Sequence, residues 1–272
     1  MVKDNLGDRM KHNYEEVTKI RLTSRMPIII RLDGCHFHTF TKGMKKPFDN
    51  ILIKTMQDTM KYLCENIQGC VLGYTQSDEI TLVLVNYNEL NTSAWFDNEL
   101  LKITSVSASL ATLAFNKYYL ENIAEMTYSD EEFKLYARKL HQAYFDSRAF
   151  TIPKEEVTNC VFWRQLDAER NSILSLGQAY FSHKQLQGKS CKEIVTMLEE
   201  QKGIIWGNLP TTQKRGSCCI KSLTIEPRVI KRGDSELTIS IPRTEWLIDN
   251  DIPKFKDEGR NYIERLVYVG DE

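Results

Sequence analysis

The order of secondary-structure signals in the first third of the chain constrains its fold more than any other feature. Pro27 to Leu32 is a short run rich in β-branched residues, and the turn-forming pair Asp33-Gly34 follows it at once. This pattern predicts a buried strand that ends in a turn. Residues 48–67 carry apolar side chains at a helical period. Residues 71–74 and 80–85 are strand-like and flank a polar turn, which predicts a hairpin. The predicted order is therefore strand, helix, strand, strand.

The rest of the chain alternates between helical and strand-like patterns. The predicted elements are a helix of small residues at about 98–120, a helix from the capping box Ser129–Glu132 to about Tyr144, a strand at 148–152, a helix at 161–181, a helix from the capping box Ser190–Glu193 to about 201, and strands at 218–225 and 237–241 joined by a loop at 226–235. The sequence pattern changes near Ile152, and this change is the best candidate for a domain boundary. It divides the chain into 1–152 and 153–272.

Length, cysteine content and hydropathy restrict the class of protein. A chain of 272 residues suffices for one large domain, or for a domain with an appendage, that is stable without disulfide bonds or structural metal ions. The seven cysteines are odd in number and lack C-x-x-C spacing, which favours reduced thiols. The N-terminus is charged throughout, unlike a signal peptide. The longest uncharged helical stretch, 103–116, is too short to span a membrane. We therefore expect a cytoplasmic protein without a membrane partner.

The net charge of −1 argues at first against a nucleic-acid partner, but the basic residues are clustered. Residues 214–232 contain six Lys or Arg against one acidic residue. Residues 1–47 contain ten Lys or Arg against five acidic residues. Basic patches of this kind can contact phosphates, although each alone is also compatible with an ordinary solvated surface. Net charge therefore does not exclude RNA.

Two acidic features lie where the predicted strands end. Asp33 follows the first strand, and Asp78-Glu79 lies at the tip of the predicted hairpin. If the first two strands are neighbours in one sheet, Asp33 and Asp78 converge, and converging carboxylates repel unless a cation neutralises them. Carboxylate oxygens are hard ligands that suit Mg²⁺, and a pair of such ions serves phosphoryl transfer. Taken singly, each feature also fits an ordinary turn, so the pattern as a whole favours a metal site.

The segment after Asp33 is a candidate phosphate-binding loop. Gly34-Cys35-His36-Phe37-His38 offers backbone N–H groups that can cradle a triphosphate. Lys45 and Lys46 lie near enough in sequence to supply positive charge. His141 and His183 are isolated in the sequence, so a transition metal is not expected.

Five stretches, taken in this order, resemble those of the tRNA-His guanylyltransferase superfamily, whose enzymes add nucleotides in the 3′-to-5′ direction. They are Arg31 to His38, Lys46 to Asp49, Tyr74 to Glu79, Phe162 to Asp167 and Lys214 to Gly216. The combination spans most of the chain and is specific, although Asp-Gly or Ser-Asp-Glu alone would not be.

The resemblance implies an α+β fold with a polymerase-palm-like, ferredoxin-like antiparallel sheet and helices on one face. It makes residues 1–152 the catalytic domain and residues 153–272 a helical and β-hairpin extension that contacts tRNA. It further implies a protein that binds nucleoside triphosphates and the 5′ end of tRNA, and that forms a homotetramer.

The resemblance also implies roles for individual residues. Asp33 and Asp78 match positions that hold two Mg²⁺ ions, together with the carbonyl of Gly34, and Glu79 is expected to complete the catalytic acidic group. The other matched positions are nucleotide-binding residues at Gly34, Cys35, His36, Phe37, His38 and Ser77, and contacts of a second, activating nucleotide at Lys46 and Asp49. The residues expected to bind tRNA are Arg170, Asn171, Lys214 and Arg215.

The implied reaction is a sequence of phosphoryl transfers. ATP adenylylates the 5′-monophosphate of a tRNA, and the 3′-hydroxyl of an incoming GTP or other NTP then attacks the activated phosphate and displaces AMP. The pyrophosphate on the added nucleotide can be removed afterwards. Positioning and charge neutralisation carry most of the catalysis in such reactions.

One departure from the eukaryotic pattern bears on the substrate. Eukaryotic members carry His-Ile-Asn-Asn where this chain has Glu169 to Ser172, and basic residues where it has Phe96 to Glu99. The chain therefore looks like the bacterial or archaeal like-protein branch, which tends toward template-dependent repair of 5′-truncated tRNA. The alternatives are a strict tRNA-His guanylyltransferase, a nucleotide cyclase with a similar hairpin tip, and a non-catalytic RNA-binding module.

Overall fold

A six-stranded antiparallel sheet organises the chain, seen in a computed structural model that describes residues 6–125, 129–232 and 235–270. The strands are β1 (Ile28–Gly34), β2 (Cys70–Gln76), β3 (Glu79–Leu84), β4 (Phe145–Thr151), β5 (Ser217–Arg232) and β6 (Ser235–Asp249), in the order β4-β1-β3-β2-β5-β6. Lys3 and Asp4 of the N-terminal basic segment lie outside the described residues, and so do the side chains of Arg228, Lys231 and Arg232 in the second basic segment.

Ten α-helices accompany the sheet within the described part of the chain. They are α1 (Leu6–Met10), α2 (Phe37–Phe40), α3 (Asn50–Asn66), α4 (Leu100–Ala124), α5 (Asp130–Ala137), α6 (Lys154–Tyr180), α7 (His183–Leu186), α8 (Cys191–Lys202), α9 (Thr211–Arg215) and α10 (Asn261–Val267). None of the helices in the described ranges is both long enough and apolar enough to cross a membrane.

The central part of the sheet has ferredoxin-like topology. The elements β1, α3, β2, β3, α4 and β4 follow one another along the chain, and their strands lie in the order β4-β1-β3-β2. This arrangement is the split βαβ motif. The prediction of an α+β, palm-like antiparallel sheet is therefore confirmed, including the strand, helix, strand, strand order of its first half.

Helices α2 to α5, within residues 1–152, cover one face of the sheet, as the resemblance implies, and helices from beyond residue 152 cover the other face. Ile30 and Leu32 of β1 belong to a core that includes residues of α3 and α4. Ile29, one position along the same strand, belongs to a second core with residues of α6 and α10. Successive side chains of a strand point to opposite faces. A strand with consecutive buried residues, such as Ile28 to Ile30, therefore needs cover on both sides.

Several predicted boundaries were wrong. Residues 226–232 of the predicted loop at 226–235 are instead part of a long ribbon, in which β5 and β6 pair from Cys218 opposite Asp249 to Arg232 opposite Ser235, and residues 233 and 234 lie outside the described residues. The helix that starts at the Ser129 capping box ends at Ala137 rather than near Tyr144, and His141 then adopts a left-handed conformation before β4.

The long helix α6 begins earlier than predicted. It starts at Lys154, directly after Pro153, rather than at Val161. The apolar periodicity does not indicate this start, because the first turn of the helix is mostly polar, as in Lys154, Glu155 and Glu156. The division at residue 152 stays a prediction, and β5 from beyond that point pairs with β2 in the same sheet.

Candidate functional site

The candidate site lies at the end of the sheet where β1 finishes and β3 starts. Asp33 of β1 pairs in register with Glu79 of β3. The N–H of Gly34 donates to the carbonyl of Asp78 at 3.0 Å. Asp33 and Asp78 therefore meet at one end of the sheet although 45 positions separate them in the sequence. Asp146 of β4 pairs with Asp33 on the other side, an acidic neighbour that sequence reasoning missed.

Asp78 carries a perturbed carboxyl group. Burial raises its pKa, a 2.9 Å hydrogen bond from the Ser77 hydroxyl opposes this effect, and the negative charges of Asp33 and Glu79 raise the pKa further. A carboxylate in this position is destabilised in its charged form unless a cation lies nearby.

The ligand set at this end of the sheet consists of oxygen atoms. Among the residues that the structure describes, no group of three or more His, Cys, Asp or Glu side chains is arranged to hold a metal ion. The carboxylates of Asp33 and Asp78 form a partial oxygen set, and the carbonyl of Gly34 stays a predicted third ligand. That set fits Mg²⁺, which usually keeps several waters and takes the rest of its ligands from one or two carboxylates and substrate phosphates.

Glu79 lies in a buried ion-pair network. Arg164 of α6 donates from Nε to Glu79 Oε1 at 2.7 Å and from Nη2 to Glu79 Oε2 at 3.0 Å. Arg31 adds a third contact to Oε2 at 3.2 Å, and Arg164 also donates to Asp167 at 2.7 Å. The carboxylate of Glu79 thus ties the start of β3 to α6, and the catalytic role expected for it stays a prediction.

The segment from Gly34 to His38 provides fewer free N–H groups than expected. The N–H of Gly34 is used by Asp78, and the N–H of Cys35 donates to the carbonyl of Tyr144 at 2.9 Å. The following residues enter α2, whose first N–H groups have no intrahelical acceptor. The predicted phosphate cradle is therefore confined to His36, Phe37 and His38.

The side chains of Phe37 and His38 in this segment differ in their exposure to solvent. Phe37 is buried against Phe40, Phe115 and Phe145, so only its backbone can face a phosphate. His38 is exposed.

A cleft beside Ser77 brings together several of the predicted nucleotide and tRNA contacts. A cavity of about 130 Å³ lies between the start of α3, the β2–β3 turn, α6 and α9, and its lining includes Asp49, Ser77, Asn171 and Lys214. A second cavity of about 180 Å³ shares part of this lining and adds Lys46. Ser77 precedes Asp78 directly, so the cleft adjoins the acidic end of the sheet.

Asp49 is mainly a structural residue within this cleft. Its Oδ1 accepts from the N–H groups of Ile51 and Leu52, both at 3.0 Å, and caps α3. Its Oδ2 accepts from the N–H of Lys45 at 3.0 Å and from the hydroxyl of Tyr136. These bonds fix the loop that carries Lys46, so Asp49 orients the cleft.

The predicted tRNA contacts divide into two groups. Arg170 and Asn171 are exposed on α6, and Asn171 reaches the cleft. Arg215 is less accessible, because its Nε lies 3.9 Å from Glu169 Oε1, which Lys254 Nζ also approaches to 3.2 Å.

The segment with Lys214 and Arg215 is held against the end of β2. The Tyr74 hydroxyl donates to the Arg215 carbonyl at 2.7 Å. Gly216 has a positive φ, and a Cβ at this position would lie 2.2 Å from the Thr75 carbonyl oxygen. A glycine is needed here, and it lets α9 close one side of the cleft.

Sequence reasoning missed the role of Arg164. The stretch from Phe162 to Asp167 was recognised as a motif, but Arg164 lies 85 positions from its partner Glu79. A buried arginine on a helix that covers the sheet calls for an acidic partner, yet the sequence contains many acids and gives no register between them.

Comparisons with known proteins agree with the geometry. A family model described as tRNAHis guanylyltransferase matches residues 7–153. A bacterial tRNA(His) guanylyltransferase-like protein in complex with ATP is 41% identical, with a TM-score of 0.80 over 98% of this chain and 100% of that one. The corresponding complex with GTP is 39% identical, with a TM-score of 0.74 over the same shares.

A curated relative extends the comparison to plants. tRNA(His) guanylyltransferase 2 of Arabidopsis thaliana is 26% identical over 219 residues, which cover 76% of this chain and 38% of the plant protein. This chain therefore spans well under half the length of that relative.

Proposed function

This chain belongs to the tRNAHis guanylyltransferase family, and from that premise we propose that it adds nucleotides to the 5′ end of tRNA in the 3′-to-5′ direction. The proposal includes two Mg²⁺ ions, activation of the 5′ end by ATP and template-dependent repair of 5′-truncated tRNA. The observation that carries it is the meeting of Asp33 and Asp78 at the end of the sheet, beside the cleft that contains Ser77, Asn171 and Lys214.

Asp33, Asp78 and the carbonyl of Gly34 would hold Mg²⁺, which when bound neutralises phosphate charge and stabilises attacking and leaving oxygens. The raised pKa of Asp78 supports this assignment, because burial and the charge of Asp33 leave that carboxylate in need of a cation. The chain's own contribution is to hold the two carboxylates in place. Glu79, fixed by Arg164, anchors the strand that begins directly after Asp78.

The cleft is suited to the activating nucleotide. Lys46 and Lys214 bring positive charge to its two sides, and Ser77 lies between the cleft and the carboxylates. A phosphate bound at Ser77 would therefore be close to Asp78. This arrangement orients an activated 5′ phosphate next to the acidic end of the sheet, and positioning of this kind supplies much of the rate in phosphoryl transfer.

Repair is favoured over strict guanosine addition by the surroundings of Glu169. Eukaryotic members have a histidine at the matching position, whereas Glu169 here is engaged with Arg215 and Lys254. A carboxylate at this position, close to two cations, differs in charge and chemistry from the histidine that eukaryotic members carry. We expect the protein to act in the cytoplasm and as a homotetramer, as the resemblance implies.

The test is an extension assay with Mg²⁺, labelled NTPs and a tRNA that lacks its first 5′ nucleotide. We expect elongation at the 5′ end that follows the opposing template base, and we expect Asp33→Ala and Asp78→Ala each to abolish it while tRNA binding persists. Glu65→Ala, which removes an exposed carboxylate on α3, is the matched control and should keep full activity.

Other outcomes would contradict parts of the proposal. Extension of full-length tRNA-His alone would replace repair with strict guanylyl transfer. Activity that survives in Asp33→Ala or Asp78→Ala would overturn the metal assignment. Binding of RNA without any extension would leave a non-catalytic RNA-binding module.

A further inference from the structure

Trp163 is an exposed tryptophan that contacts two guanidinium groups. It lies on α6 and its side chain is 52% exposed. Tryptophan is usually well covered in folded proteins. Its neighbours in the stretch from Phe162 to Asp167 are accounted for, since Arg164 pairs with Glu79. Gln165 is buried and bonds the backbone of Pro253 and Phe255.

The indole is held in place from one side only. The guanidinium carbon of Arg164 lies 4.3 Å from the ring centroid, and that of Arg31 lies 5.4 Å from it. Both guanidinium groups donate to the same oxygen of Glu79, Oε2. Two cations that share one acceptor atom are too close together to stand on opposite faces of an indole. The exposed 52% of the side chain is assigned to the other face of the ring, the open face of Trp163.

The open face borders the acidic end of the sheet. Arg31 precedes Asp33 by two positions, so both side chains lie on the same face of β1. Glu79, which binds the two arginines, is directly opposite Asp33 in the register. Trp163 thus lies on the same side of the sheet as the carboxylates proposed to hold Mg²⁺ for the phosphates.

The exposed side of α6 continues this surface. Leu166 and Arg170 follow Trp163 at helical spacings of three and seven positions, and both are exposed. The stripe therefore combines a flat aromatic ring, an apolar side chain and a cation. Single-stranded nucleic acids are bound by surfaces of this composition, in which bases stack on aromatic rings and cations follow the phosphates.

We propose that the open face of Trp163 stacks on the nucleobase of a nucleotide whose phosphate lies at Asp33 and Asp78. The inference rests on the proposed function. The ligand class is a nucleobase next to a bound phosphate, and it comes either from a free nucleoside triphosphate or from the 5′-terminal nucleotide of an RNA. Arg164 and Arg31 keep the ring rigid, so that little side-chain entropy is lost on stacking.

The experiment compares Trp163→Ala, Trp163→Phe and the control Trp246→Ala in the full chain. Trp246 is a partly exposed tryptophan whose ring centroid lies 5.2 Å from the ammonium of Lys221, and it packs against the core on the α3 side of the sheet. Each variant is titrated with GTP and, separately, with a 5′-monophosphorylated RNA oligonucleotide. Thermal unfolding of each variant confirms that it is folded.

We expect Trp163→Ala to weaken binding of one titrant about 5- to 150-fold, the range that corresponds to about 1–3 kcal/mol for a stacked base. Trp163→Phe should retain most of the affinity, and Trp246→Ala should stay within about 2-fold of wild type. Weaker binding of GTP would identify the stacked nucleobase as that of the incoming nucleotide. Weaker binding of the oligonucleotide would identify it as that of the 5′-terminal nucleotide of the RNA. Quenching of tryptophan fluorescence by that titrant should disappear in Trp163→Phe, a readout that does not depend on the alanine variant folding.

Two results would overturn the inference while leaving the proposed function intact. One is wild-type affinity for both titrants in Trp163→Ala with quenching retained in Trp163→Phe. The other is a change of oligomeric state in Trp163→Ala with unchanged affinities, which would make the stripe a contact between copies of the chain. A wild-type chain that binds neither titrant would instead refute the proposed function itself, and this inference with it.

Discussion

Replacing Arg164 with methionine tests whether the buried ion pair holds the active end of the sheet together. The side chains of Arg164 and Glu79 are only 6% and 8% exposed. Arg164→Met removes both bonds to Glu79 and the bond to Asp167. It leaves the Glu79 carboxylate buried with Arg31 as its remaining cation, at 3.2 Å.

The expected cost follows from that geometry. Breaking a buried ion pair by removing one partner typically costs about 3–5 kcal/mol, because the other charge stays desolvated. Arg31 still contacts Glu79, so we expect a value toward the lower end of that range. Such a loss is a large share of the roughly 5–15 kcal/mol by which domains are stable.

Urea unfolding of four proteins measures the effect. They are wild type, Arg164→Met, Glu79→Gln and the double variant. The double variant no longer buries the Glu79 carboxylate, although Arg31 loses its partner there, so it should be more stable than the sum of the single losses predicts, by about 1–3 kcal/mol. Arg148→Met is the matched control, since Arg148 and Asp146 form an exposed pair worth about 0–1 kcal/mol. If Arg164→Met costs no more than Arg148→Met, or if the double variant shows no coupling, the reasoning is refuted.

The remaining predictions concern the end of β1 and its neighbour Asp78. Without metal, Asp78→Asn should raise the melting temperature by a few degrees, about 2–4 °C for each kcal/mol gained, because it removes a charge that burial and Asp33 disfavour. Differential scanning fluorimetry measures this shift, and an unchanged or lower melting temperature contradicts the prediction. In the metal-free wild type, Asp78 binds its proton more tightly in the folded than in the unfolded chain, because its pKa is raised on folding. Its contribution to the free energy of unfolding should therefore fall as the pH rises from the ordinary pKa of Asp through the raised pKa. This pH dependence should vanish in Asp78→Asn. Gly34→Ala should lower the free energy of unfolding by about 1–3 kcal/mol, because the added Cβ would meet the buried Phe37 ring at 2.4 Å. Gly207→Ala is the control, since its Cβ would meet one side-chain atom at 3.9 Å. Equal stability of the two variants would count against the packing argument.

The meeting of Asp33 and Asp78 was predictable because it depends on local signals and one rule of topology. A β-branched run before Asp33-Gly34 and a polar hairpin tip at Asp78 are each visible within a few residues. One helix between the first two strands lets them join the same sheet, but the expectation that they are neighbours is wrong, because β3 lies between β1 and β2. Asp78 meets Asp33 because β3, which begins directly after Asp78, pairs with β1. The sequence order therefore determined which ends of the strands meet.

The ribbon of β5 and β6 was not predictable in the same way. Its middle contains Pro227 and several charged residues, which are signals of a loop. Only residues 217–220 of β5 pair with β2, so beyond that point β5 is an edge strand with one partner. A proline is tolerated on an edge, where its missing N–H breaks no second ladder. Backbone pairing with β6, which leaves no periodic trace in the sequence, decides the structure of this segment.

Asp78 and Glu79 show why adjacency in sequence is a poor guide to shared chemistry. Asp78 lies in the turn, with a perturbed carboxyl near Asp33, whereas Glu79 begins β3 and is bonded to two arginines. A carboxylate whose oxygens already accept three charge-assisted bonds within hydrogen-bond distance has little capacity left for a cation. Loss of activity in Glu79→Gln would therefore not by itself identify a metal ligand. The two roles differ in a measurable way, because removing the charge of Glu79 should destabilise the metal-free fold, while removing that of Asp78 should stabilise it.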